Sequence, residues 1–210
     1  MTGDWLARFK RFGAVREGHF LLTSGLHSAA YIQSALILQY PEEAAALADA
    51  LADRVRSLQP QTVMGPALGG IIVAHEMARA LGCRALFTER VDGRMQLRRG
   101  FAVRPGERVL VVEDVVTTGG SVGEVAVLVR SAGGTVIGYA ALVDRRGAAD
   151  RDGTIGAVAA ADPPLVALIA LDLPVFSADA CPLCRAGLPI DKPGSRSHPG
   201  VRGSREGATR

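Results

Sequence analysis

Two adjacent carboxylates, Glu113 and Asp114, stand between an apolar run and a turn rich in hydroxyls and glycine: Val109-Leu110-Val111-Val112-Glu113-Asp114-Val115-Val116-Thr117-Thr118-Gly119-Gly120-Ser121-Val122. Four apolar, mostly β-branched residues read as a buried strand, and such a strand delivers the acids to its C-terminal end, where ligands bind in open α/β sheets. Behind them, glycines let backbone N–H groups converge on an anion. Hydroxyls add donors, and the following helix adds the positive end of its dipole. Carboxylates beside a phosphate cradle suit a sugar phosphate, because acids accept hydrogen bonds from ribose hydroxyls while the loop holds the phosphate. The segment lacks the Gly-Lys-Ser/Thr of a P-loop and the G-x-G-x-x-G spacing of a dinucleotide site. The competing reading is a plain strand-to-helix turn with an N-capping Thr or Ser, and two acids directly behind a buried strand argue against it.

The rest of the chain supplies the scaffold that must position these residues. Pro41 to Leu58 reads as a helix, with Pro in its first turn and Ala44, Leu47, Ala48, Leu51 and Val55 recurring at three and four. Thr62-Val63-Met64 reads as a short strand ending in Gly65-Pro66, Gly69 to Leu81 as a helix and Arg84 to Thr88 as a strand. Ser121 to Ala132 is the next expected helix, and Val136 to Val143 and Leu165 to Leu171 are further strands. Alternating strands and helices with short Gly-rich links predict an α/β fold, an open, mainly parallel sheet with helices on both faces. Glu89 to Gly106 interrupts the alternation with a polar segment carrying Arg90, Arg94, Arg98, Arg99 and Arg104, read as a long loop or a hairpin arm.

The segment Glu113 to Ser121 resembles the phosphoribosyl-pyrophosphate (PRPP) signature of the type I phosphoribosyltransferases, and its Asp-Val-Val-Thr-Thr-Gly form is similar to that of the orotate phosphoribosyltransferase family. Three other segments carry the same resemblance: Gly18 to Ser28 on the N-terminal side, Gly65-Pro66-Ala67-Leu68-Gly69-Gly70 as a pyrophosphate loop, and Leu142-Val143-Asp144-Arg145 as a strand end that anchors the base. It spans about residues 5–190. The resemblance implies transfer of ribose 5-phosphate from PRPP to orotate, giving orotidine 5′-monophosphate and pyrophosphate in pyrimidine biosynthesis. It implies that Glu113 and Asp114 hold the ribose hydroxyls, that Thr117, Thr118, Gly119, Gly120 and Ser121 wrap the 5-phosphate, and that Val115 and Val116 belong to the same PRPP-binding segment. Ala67, Leu68, Gly69 and Gly70 face the pyrophosphate, and Thr117, Arg145, Tyr31 and Ile32 contact orotate. Core packing is an equal reading for Tyr31 and Ile32, and a surface salt bridge to Asp144 or Asp150 is the alternative for Arg145.

The implied cofactor is Mg²⁺, held mainly by substrate and water, so that the protein need provide no dedicated metal cage. The implied assembly is a homodimer whose arm, residues 89–100, completes the neighbouring site. The implied architecture adds a small hood, from about 1–40 and 172–191, to a domain over 1–191. Two departures from the family stand out: Gly69 occupies a position where many members carry lysine, and the arm contains neither Lys nor His. Arg90 and Arg94 are then the residues expected to clamp the pyrophosphate, with Asp114 as the third catalytic position. Arginine stays charged at physiological pH, so it neutralises charge well and donates protons poorly.

Charge and composition bound the partners. The last nineteen residues hold Lys192, Arg196, Arg202, Arg205 and Arg210 against Glu206, a balance of +4 within a net +3, which leaves the first 191 at −1. A near-neutral body is not that of a nucleic-acid binder, and the Pro-Gly-Ser-Arg tail, 192–210, is expected to be disordered. The most apolar stretch, Ile155 to Leu173, is broken by Asp162, Pro163 and Pro164, so no membrane span is expected. With no signal peptide and only three cysteines, the expectation is a cytoplasmic protein. Cys181-x-x-Cys184 is half of a zinc site. With only Cys83 and scattered histidines elsewhere, the pair reads as reduced thiols in a C-terminal turn, and His19, His27 and His75 as structural. Two rival functions remain: transfer to another base, and a regulator that binds PRPP without turning it over.

Overall fold

The computed structural model describes residues 4–22, 24–146, 163 and 165–193. Asp150 and residues 194–210 of the expected tail lie outside them. In chain order the elements begin with α1 (Trp5–Arg11), β1 (Val15–Leu21), β2 (His27–Ile32), α2 (Ala35–Leu38), α3 (Pro41–Val55), β3 (Thr62–Pro66), α4 (Gly69–Leu81) and β4 (Arg84–Val91). They continue with β5 (Arg94–Gln96), β6 (Arg108–Val116), α5 (Gly120–Ser131), β7 (Thr135–Asp144), β8 (Leu165–Ala170), β9 (Val175–Phe176) and α6 (Pro182–Arg185). Contacts divide the chain into two units. The larger takes residues up to Ala14 and Ile32–Asp172, and the smaller takes Val15–Tyr31 and the described residues from Leu173 on. Of the segments expected in the hood, β1 and most of β2 fall in the smaller unit, while α1 and α2 fall in the larger one.

The larger unit is built on a six-stranded sheet in the order β5-β4-β3-β6-β7-β8. Every pairing from β4 to β8 is parallel, and β5 alone returns antiparallel on β4. Val122, Val125, Ala126 and Val129 of α5 bury one face against Met64, Val109, Val111, Tyr139 and Ala141. The alternate residues of β6, Leu110 and Val112, are equally buried on the other face, where α3 and α4 pack. In α3 the expected spacing becomes a buried stripe of Ala44, Leu47, Ala48, Leu51, Ala52 and Val55. Glu42 and Glu43 sit at its positive end and Arg54 at its negative end. A 3-10 turn, Arg56–Leu58, completes the segment read as one helix.

The strands run further than the apolar runs that announce them. β6 continues through both acids to Val116, paired with β7 as far as Asp144. β4 continues to Val91 and folds back through Asp92-Gly93, both at positive φ, into β5. The arm is thus a hairpin, as one of the two sequence readings held. At the opposite end of the sheet, Glu107 is buried where β3, β4 and β6 begin. It accepts from Thr62 Oγ1 (2.5 Å), Arg84 Nε (2.9 Å), Arg84 Nη2 (2.7 Å) and the Arg104 N–H (2.7 Å).

The smaller unit has a three-stranded sheet in the order β1-β2-β9, with β2 and β9 antiparallel. Asp191 forms a parallel bridge with Phe20 of β1: its N–H donates to His19 O (2.7 Å) and Leu21 N–H donates to Asp191 O (2.8 Å). Arg16 adds an ion pair to Asp191 at 3.0 Å.

Candidate active site

The sequence from Glu113 to Val122 folds around a pocket. Glu113, Val115, Val116, Thr117, Thr118, Gly119, Gly120, Ser121 and Val122 line it. The turn into α5 is made at Gly119, whose φ of 78° lies in the left-handed region that favours glycine. Gly119 is also the N-cap of α5, and it offers no side chain to the first-turn N–H groups. A helix start whose orphan donors face a pocket has the geometry that suits an anion, and it lacks a side-chain cap. The reading of this turn as a simple Thr- or Ser-capped connection is thereby replaced.

The two acids behave differently. Glu113 is only 9% exposed, and its pKa is raised well above the ordinary range, first by burial and then by the neighbouring Asp114 charge. Asp114 accepts a hydrogen bond from the Ser34 hydroxyl, and its own N–H donates to Glu113 Oε1 at 3.2 Å. Ser34 was not among the residues singled out in the sequence, since nothing local marks a serine ahead of a short helix as the partner of an acid eighty residues on.

The pyrophosphate-loop segment lies against the same acids. Gly65 and Pro66 end β3, and Gly69 and Gly70 open α4. A Cβ on Gly69 would collide with the Asp114 carboxylate, and one on Gly70 would stand 3.2 Å from Glu113 Oε1. The Ala67–Leu68 peptide is cis, and Ala67 N–H donates to Thr88 O (2.8 Å), tying the loop to β4. Leu68 is 74% exposed.

Arg145 follows β7 directly beside the pocket. Its N–H donates to Val116 O (2.8 Å), which sets it next to Thr117 at the ends of paired strands. Its neighbour Arg146 grips Asp144 in bidentate fashion, Nε to Oδ1 at 3.0 Å and Nη2 to Oδ2 at 2.9 Å, with both residues buried. The residue expected to compete for Asp144 was Arg145, yet it is Arg146 that makes this fork.

In the arm, Arg90 pairs with Glu124 of α5 at 2.6 Å and also donates to Gly93 O. Arg99 pairs with Glu89 at 2.7 Å. Arg94 and Arg98 make no ion pair among the described residues, and Arg94 opens β5 exposed to solvent. Ile32 is buried in the larger unit, while Tyr31 belongs to the smaller one, where its ring packs on Phe20 at 5.7 Å. A further group that sequence reading left scattered comes together in the smaller unit: His19 and His27 join Cys181 and Cys184.

A parallel sheet whose central strand carries two adjacent acids near its C-terminal end, with a glycine-turned helix start behind them and a glycine loop pressed against them, defines a type I phosphoribosyltransferase. The phosphoribosyl transferase domain family matches residues 34–155. A Desulforamulus reducens protein named orotate phosphoribosyltransferase is 50% identical over 188 residues, 90% of this chain and 94% of its own length. One of the same name from Chlorobaculum parvum is 48% identical over 197 residues, 94% of this chain and 97% of its own. The crystal structure of orotate phosphoribosyltransferase from Aeropyrum pernix superposes with a TM-score of 0.63 at 28% identity, covering 79% of this chain and 92% of that one. The chain belongs to the orotate phosphoribosyltransferase family.

Proposed function

We propose that this protein transfers ribose 5-phosphate from PRPP to orotate, releasing pyrophosphate and forming orotidine 5′-monophosphate for pyrimidine biosynthesis. The observation that carries this reading is the pocket from Glu113 to Val122, in which Glu113 meets open helix-start amides. In the reaction the bond from ribose C1 to pyrophosphate breaks and a bond from C1 to the pyrimidine nitrogen forms. Charge builds on C1 and on the leaving group, so catalysis is mostly positioning and electrostatic stabilisation. Thr117, Thr118, Ser121 and the first-turn amides of α5 hold the 5-phosphate. Glu113 and Asp114 accept from the ribose hydroxyls. Arg145 offers its planar fork to the orotate carboxylate beside Thr117, a pairing that favours arginine over lysine.

Mg²⁺ fits this site as a guest of the substrate. Glu113 and Asp114 are the protein carboxylates that would sit beside the ion, and PRPP and water would supply most of its ligands. When bound, Mg²⁺ would offset the negative charge of the leaving pyrophosphate. The exposed Arg94 supplies further positive charge, and it does so in a homodimer whose arm covers the partner's pocket. The free thiols suit the reducing cytoplasm, and no helix among the described residues is long and apolar enough to cross a membrane.

The test is to supply Mg²⁺ and PRPP with orotate, uracil, adenine and hypoxanthine in separate reactions and to follow each base by absorbance. Loss of orotate alone is the expected result. Loss of another base overturns the substrate assignment, and PRPP binding without turnover of any base overturns the enzymatic one.

A further inference from the structure

We propose that His19, His27, Cys181 and Cys184 form a structural zinc site, which shares no residue with the phosphate pocket. The four ligand atoms lie within 4.8 Å of one another, although His19 and Cys181 are 162 residues apart. His19 Nε2 is 2.9 Å from His27 Nδ1, 3.6 Å from Cys181 Sγ and 3.7 Å from Cys184 Sγ, and Cys184 Sγ is 3.2 Å from His27 Nδ1. A tetrahedral zinc with Zn–N of about 2.0–2.1 Å and Zn–S of about 2.3 Å has N···N edges of roughly 3.3 Å and N···S edges of roughly 3.6 Å. These four spacings come within about half an ångström of the tetrahedron's edges, and the other two edges of the cluster lie within 4.8 Å.

Three further features select zinc and a structural role. The donor set is two thiolates and two imidazoles with no carboxylate, the soft and borderline mixture that zinc prefers over magnesium or calcium. Four protein ligands complete a tetrahedron and leave no open position for catalysis. The outer contacts are those of a metal-bound imidazole: His19 Nδ1 lies 2.9 Å from Leu188 O, so that nitrogen donates its proton and Nε2 turns a lone pair toward the cluster.

The smaller unit also needs such a staple. Its buried residues among those described are His19, Phe20, His27, Ser28, Ala30 and Cys181, which leaves almost no apolar core. Three of those six belong to the cluster. Units with too little core are commonly held by metals or disulfides. Here the ion would join β1 and β2 to α6, which leads on to the Asp191 bridge with β1.

The experiment is metal analysis of the untagged full-length chain, loaded with Zn²⁺ and dialysed against metal-free buffer. One zinc per chain is expected, retained in Asp114→Asn and lost in Cys184→Ser and in His27→Asn. Replacement by Co²⁺ gives a readout that needs no variant: intense tetrahedral ligand-field bands and a sulfur-to-metal charge-transfer band are expected on the wild-type chain. A wild-type chain that dialyses free of zinc overturns the proposal. So does a cobalt form with only weak octahedral bands, or zinc retention unchanged in both Cys184→Ser and His27→Asn.

Discussion

Gly69 lies directly against the carboxylate of Asp114: a Cβ at position 69 would overlap Oδ2 and Cγ and stand 2.7 Å from Oδ1. The first residue of α4 and the second acid of β6 therefore occupy one another's space, and only glycine permits both. A lysine there would require Asp114 to sit elsewhere. Gly69→Ala is expected to push Asp114 off the Ser34 hydroxyl and out of place for a ribose hydroxyl. Misplacement of a positioning group by about 1 Å costs on the order of 100-fold in rate. Steady-state kinetics with varied PRPP should show kcat falling by that order with the fold intact by circular dichroism. Wild-type turnover in Gly69→Ala would show that the close approach has no part in placing Asp114.

Glu113 exchanges stability for function. A glutamate in the unfolded chain titrates near 4.3, whereas in the folded chain burial, then the charge of Asp114, hold its pKa well above that. The folded state thus keeps a proton that the unfolded state gives up, and stability falls as pH rises from about 4.3 through the folded value. Glu113→Gln removes that loss. The variant should be more stable than wild type at pH 8 by about 0.5–2 kcal/mol, a usual range for relieving a strained functional residue, with the difference closing toward pH 4. Its turnover should fall, because an amide cannot replace a carboxylate as double acceptor for the ribose. Urea unfolding across pH measures the first effect and the absorbance assay the second.

The opposite end of the sheet carries the reverse dependence. Burial works to raise the pKa of Glu107, but the Arg104 N–H, the Thr62 hydroxyl and Arg84 outweigh it and hold the group below its ordinary value. Its contribution is present above the unfolded pKa and is lost as pH falls through the folded one. Arg84→Ala leaves Glu107 buried with its main cationic partner gone, at a cost of about 2–3 kcal/mol. The melting temperature should drop accordingly and acid unfolding should shift to higher pH, while kcat at low temperature stays near wild type. A fall in kcat matching the fall in stability would mean that the strand starts and the pocket are coupled.

What could be read from the sequence follows from how local the cause is. Val109–Val112 announces its strand because four apolar residues can only be buried together, and Gly69–Leu81 has the observed bounds of α4 because glycines mark both ends. The continuation of β6 through Glu113 and Asp114 was hidden, since acids look like strand terminators until β7 is seen to pair beside them. Ser34 with Asp114, and Arg84 with Glu107, depend on contacts between distant segments. The histidines were the instructive miss. His19 and His27 lie on neighbouring strands joined by a turn, and Cys181 and Cys184 lie one helical turn apart, yet nothing local says that the two pairs meet.

The arm divides its arginines by what they already hold. Arg90 is committed to Glu124 and Arg99 to Glu89, whereas Arg94 is exposed at the tip of the β4–β5 hairpin with no ion pair among the described residues. Arg94→Ala should therefore lower kcat by at least about 10-fold, as loss of one preorganised charge at a leaving group does, with little change in stability. Arg90→Ala should have a smaller effect, since Arg90 must first leave Glu124. If the arm serves the partner subunit, mixing Arg94→Ala chains with Asp114→Asn chains and allowing exchange restores activity. A random mixture regains about a quarter of the wild-type sites, because half of the dimers are mixed and each mixed dimer holds one intact pocket. No recovery after exchange, verified by mass spectrometry of mixed dimers, would place each arm over the pocket of its own chain.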